Sequence, residues 1–74
     1  METLNDFLFK KRNKLGLNKT EFAEYLGISK VTLMNIENGE KVGSFVLNKI
    51  GEALDVSVEK LCKLQGGIKK WKKI

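Results

Sequence analysis

The stretch GISKVTLMNIENG, residues 27 to 39, sets Leu33 and Ile36 three apart, the spacing of one helix face, and leaves Lys30, Val31, Thr32 and Asn35 on the other side. An ammonium, a hydroxyl, a carboxamide and a pair of methyl groups can donate, accept and pack, but they cannot break a covalent bond. Such a face either recognises a partner or is simply hydrated, and the residue types alone leave both readings open. Reaction chemistry has little material elsewhere. The chain has no histidine, and Cys62 is its one cysteine, so an internal disulfide is impossible and the usual zinc sets cannot be assembled. Cys62 reads as a small buried hydrophobe near a helix end. With no nucleophile beside a recognisable base, the chain reads as a non-enzyme, and no metal, cofactor or small-molecule ligand is expected.

The segments around residues 27 to 39 read as the elements that hold them. In LNDFLFKKRNKL the set Leu4, Phe7, Leu8, Lys11, Arg12 and Leu15 follows one helix face, with Gly16 as the stop, which puts Arg12 on the buried stripe. Asn18 is placed to cap a second helix, with Glu21 at capping-box spacing and Phe22, Ala23 and Leu26 inward. Only Gly27, Ile28 and Ser29 separate that helix from a third over residues 30 to 37, so the two must meet steeply, with Ser29 as the cap. Asn38 and Gly39, both tolerant of a left-handed backbone, end the third helix, and Ile28, Leu33, Ile36 and Glu37 face inward. Ser44 is expected to cap a fourth helix bearing Val46, Leu47, Ile50, Ala53 and Leu54. Ser57 is expected to cap a fifth bearing Val58, Leu61 and either Cys62 or Leu64.

Five short helices and no strand make an all-α class, one domain over residues 1 to 65 followed by a basic tail from 66 to 74. At 74 residues a single domain is expected. No run approaches a membrane span, and METLN lacks the regions of a signal peptide, so a cytoplasmic location and no membrane partner are expected. The net charge of +5 favours an anionic partner, yet residues 1 to 39 hold six basic and five acidic side chains and residues 40 to 64 hold four of each. Net basicity lies in GGIKKWKKI, with four lysines and no acid.

Arg12 and Glu37, opposite charges aimed at one core, are expected to meet as a structural ion pair that fixes the angle of the third helix. Removing one partner of such a pair costs roughly 3–5 kcal/mol.

The order NKTEFAEYLGISKVTLMNIENG followed by LNKIGEALDVSVEKL resembles the lambda-repressor-like DNA-binding domains of the Cro and repressor type, the Xre family, over roughly residues 4 to 64. The resemblance implies a five-helix bundle with a helix-turn-helix in its second and third helices. It implies a transcriptional regulator, a repressor by the simplest mechanism, that places the third helix in the major groove of double-stranded DNA at a palindromic operator. By position in the matched motif, Lys30, Val31 and Asn35 read base edges, with Thr32 beside them: lysine donates to guanine, asparagine pairs with adenine and valine packs on a thymine methyl. Asn18, Lys19, Ser29, Asn38 and Lys41 are the corresponding phosphate contacts. An antitoxin, or another interaction module that regulates its own synthesis through DNA, is the alternative.

Two positions depart from the family pattern. Lys19 stands where the family often has a glutamine, keeping a charge for phosphate but losing the paired amide bonds. The loop KVGS lacks the proline common there, which leaves the path of residues 40 to 43 open. Reading a unique site calls for a homodimer on DNA. The family resemblance points to pairing through residues 54 to 64, with Val56 and Val58 facing a partner and Trp71 and Ile74 extending the patch. Ile68, Trp71 and Ile74 could pack on the body or join the dimer, the favoured reading, while the tail lysines offer phosphate attraction and the tail as a whole a weaker membrane contact.

Overall fold

The computed structural model describes residues 2–67 and shows five α-helices in the order α1 (Leu4–Leu15), α2 (Lys19–Leu26), α3 (Lys30–Glu37), α4 (Ser44–Leu54) and α5 (Val58–Gln65). There is no strand among the described residues. Local chemistry accounts for most of the boundaries. Asn18 Oδ1 accepts from the Glu21 amide at 2.8 Å and Glu21 Oε1 accepts from the Asn18 amide at 3.0 Å, closing a capping box that satisfies two otherwise unpaired donors. Thr3 and Asp6 build the same box before α1, and those bonds hold the Asp6 carboxyl below its usual value. Ser57 caps α5 through the Lys60 amide at 3.2 Å.

Three boundary details differ from the pattern in the sequence. Ser44 is the first residue of α4 rather than its cap; Gly43 takes that place with extended dihedrals and no side chain to bond the first turn. Asn38 stays near φ −84°, and Gly39 alone adopts the left-handed conformation, at φ 86°. Leu15 is 44% exposed, because α1 is ending there and the other helices no longer cover its stripe.

The core joins Leu4, Phe7 and Leu8 of α1 to Phe22, Ala23 and Leu26 of α2, Leu33 and Ile36 of α3, Leu47 and Ile50 of α4, and Leu61 of α5, with Val42 from the loop. Helices α2 and α3 pack on each other and α2 packs also on α4; α1 lies against α3 and α5, and α4 against α5. The α4–α5 corner is tight. Gly51 is buried there, and a Cβ on it would lie 2.6 Å from the Val56 carbonyl oxygen. On the α1–α5 side the Phe7 ring carries the ammonium groups of Lys11 and Lys60, at 5.4 and 5.1 Å from its centroid. Among the described residues no helix is long and apolar enough to cross a membrane, and no group of acids and cysteine could hold a metal.

Candidate nucleic-acid interface

The chain turns from α2 into α3 through Gly27, whose φ of 74° lets its amide and that of Ile28 bond back to the last turn of α2 at 3.1 and 3.0 Å. Ser29 then starts α3. Its Oγ accepts from the Thr32 amide at 3.0 Å and lies 2.8 Å from Thr32 Oγ1. Because Leu33 and Ile36 are spent on the core, the geometry of a single helix sends Lys30, Val31, Met34 and Asn38 outward as one exposed ridge. Val31 is 66% exposed and Met34 46%. Asn35 and Thr32 are half-buried at the edges of that ridge, and the Thr32 hydroxyl is engaged in the cap.

Met34 was not among the residues singled out from the sequence, although its place between Leu33 and Asn35 puts it about 100° from the buried stripe. Phe45, at 72% the most exposed large apolar side chain among the described residues, was also missed. It stands on the first turn of α4, just past the loop after α3, with Lys49 Nζ 5.6 Å from its ring centroid.

The expected pair of Arg12 with Glu37 is not formed. Glu37 pairs instead with Lys19 at 3.2 Å, and an Arg12 Nη1 donates to the Leu17 carbonyl at 3.0 Å while the guanidinium covers Phe9. Arg12 and Glu37 do line one cavity of about 10 Å³ together with Leu8, Phe22 and Leu33, so they approach the same place without touching. The physical reason is hydration. The Lys19 side chain stays 53% exposed and keeps most of its water, whereas Arg12 is half-buried and meets a backbone carbonyl within five residues of itself. The ion pair therefore ties the start of α2 to the end of α3, in place of the tie expected from α1.

Lys41 also differs. Its ammonium donates to the Gly66 carbonyl at 2.8 Å, across the molecule, so it closes the end of α5 as well as standing in the loop. Val56 and Val58 are half-buried against their own core, with Val58 packed over Gly51, and present less apolar surface to a partner than their residue types suggested. Trp71 and Ile74 lie outside the described residues.

Two eight-residue helices joined by a three-residue turn, the first capped at Asn18 and the second carrying an uncovered ridge of mixed polar and apolar side chains, define a helix-turn-helix domain. The helix-turn-helix family model matches residues 8–61, and the chain belongs to that family, of the Cro and repressor type. No curated protein and no solved structure matches the chain. The family is one of DNA-binding transcription regulators.

Proposed function

We propose that the chain is a sequence-specific DNA-binding transcriptional repressor that lays α3 in the major groove of a palindromic operator. The observation that supports this reading is the ridge itself: a helix held by its apolar side presents Lys30, Val31 and Asn38 outward with Asn35 at the edge, groups suited to base edges, a thymine methyl and phosphate. Repression follows from occupancy, since a bound domain excludes polymerase. A homodimer on half-sites about 34 Å apart would supply the information that one short helix lacks. Pairing through residues 54 to 64 remains the assigned contact, with the half-buried valines as a minor part of it.

Selection of bound duplexes from a random pool tests the function, and a palindromic consensus is the expected result; a pool that stays random would reject sequence-specific binding. Alanine at Lys30 or Asn35 is expected to cost roughly 1–3 kcal/mol on the selected site and to relax choice at one base position. Both variants retaining the original preference would show that α3 is not the reader. Lys19 is assigned to phosphate, in exchange for Glu37. Lys19→Ala should weaken all sequences alike and flatten the slope of log affinity against log salt by about one unit, and an effect limited to one base position would count against that role.

A further inference from the structure

Phe45 takes no part in the core, and at 72% exposed it leaves most of its ring to water. The Lys49 ammonium stands 5.6 Å from the ring centroid, one helical turn further along the same face of α4. That lysine also shows where the ring lies. A Cβ added to Gly27 would meet Lys49 Cδ at 3.7 Å, so the lysine stem runs against the turn that joins α2 to α3. Near the other end of α4, Ala53 and Leu54 line one cavity with Tyr25 of α2. Followed from its C-terminus, α4 thus passes Tyr25 and then Gly27, and its next turn carries Phe45 beyond the end of α2, beside the turn from which α3 starts.

A lone exposed ring is ordinary on a protein surface. What singles out this one is its place, next to the N-terminal end of the proposed reading helix, and the cation held over it. We propose that Phe45 and Lys49 make a second DNA contact beside α3, in which the ring packs on a deoxyribose of the strand flanking the start of α3 and the ammonium turns from the ring to the adjacent phosphate. The inference rests on the DNA-binding reading above and adds to it two residues that lie outside the ridge of α3.

The two side chains act over different ranges. A ring gains from a sugar only at van der Waals distance, which the domain reaches once α3 is lodged in the groove. An ammonium attracts phosphate over a Debye length and on any duplex. Phe45 therefore strengthens the seated complex, while Lys49 strengthens every encounter with DNA.

The test uses the full chain and its variants Phe45→Ala, Phe45→Tyr and Lys49→Gln, with binding to the selected operator and to a duplex of scrambled sequence measured over a salt series. Phe45→Ala is expected to lose about tenfold in affinity for the operator and less than about threefold for the scrambled duplex, at an unchanged salt slope. Hydroxyl-radical cleavage of the saturated operator should show the sugars at one edge of the footprint newly exposed in that variant, with the remainder still protected. Phe45→Tyr, which keeps the ring, should restore both affinity and footprint. Lys49→Gln should weaken both duplexes and reduce the slope by about one unit. The thermal melt and the sedimentation of free Phe45→Ala should match those of the natural chain, because the ring is not part of the core. Unchanged operator affinity or a complete footprint in Phe45→Ala overturns the contact, as does a loss that comes with a lower melt or with dissociation of a dimer, which would make Phe45 a structural or assembly residue. If the natural chain binds neither duplex even at low salt, the DNA-binding reading falls and this contact with it, an outcome distinct from a loss confined to the variants.

Discussion

Phe22→Ala should destabilise the domain by roughly 3–5 kcal/mol. Phe22 is 1% exposed and lines the small cavity shared by Leu8 of α1 and Leu33 of α3, so its ring is the spacer on which the angle between α2 and α3 depends. A 74-residue chain has a total stability of about 4–11 kcal/mol, and a cavity the size of a phenyl ring consumes a large part of it. Chemical denaturation followed by helical circular dichroism measures the loss. DNA binding should fall in parallel with helicity, unlike Lys30→Ala, which should bind poorly while fully folded. A Phe22→Ala chain as stable as the original would mean that α2 does not set the position of α3.

Gly51→Ala is expected to cost a net 2 kcal/mol or so, although helix propensity alone predicts a gain of about 1 kcal/mol. The added Cβ would lie 2.6 Å from the Val56 carbonyl oxygen, with Leu61 Cδ1 and Val58 Cγ2 at 3.7 Å closing the other sides. No rotamer change relieves a clash with backbone, and the Val56 amide is itself bonded to the Gly51 carbonyl at 3.0 Å. Helices α4 and α5 must therefore part, and the melting temperature should fall by about 10 °C for a domain of this size. A rise in melting temperature would show that propensity outweighs the contact.

What could be read from the sequence was what is local. The bounds of α3 and the caps at Asn18, Ser29 and Ser57 depend on residues within four positions, and glycine marks the ends of α1 and α2 for the same reason. Thr3 with Asp6 makes the same box as Asn18 with Glu21, but aspartate in place of glutamate hid the signal. Ser44 misled because serine caps a helix only where the chain is still extended, and here Gly43 supplies that turn.

The charge partners were not legible in the same way. Helical spacing shows that Arg12 and Glu37 both point inward, but the choice of Lys19 for Glu37 turns on a few ångströms between two helices and on the hydration each cation keeps. The bond of Lys41 to Gly66 joins residues 25 apart, and no periodicity reports it. Among the proposed contact residues, Lys30 and Val31 are exposed on one ridge as their spacing implied, Thr32 and Asn35, expected on the same side, are half-buried at its edges, and Asn38 joins the ridge from the helix end. Met34 adds apolar surface there, and Phe45 does so on α4, because neither is covered by the core.

The packing of α1 on α5, with Phe7 held between Lys11 and Lys60, has a consequence for the birth of the protein. Leu61 is fully buried and closes the core from the distal end of the sequence, so the first helix has no complete docking site until the fifth has been made. A ribosome that has released only α1 to α4 holds a chain whose apolar faces are still open. Folding is then a late event in synthesis, and a nascent chain stalled before residue 61 is exposed to proteases and unable to present α3 at a fixed angle.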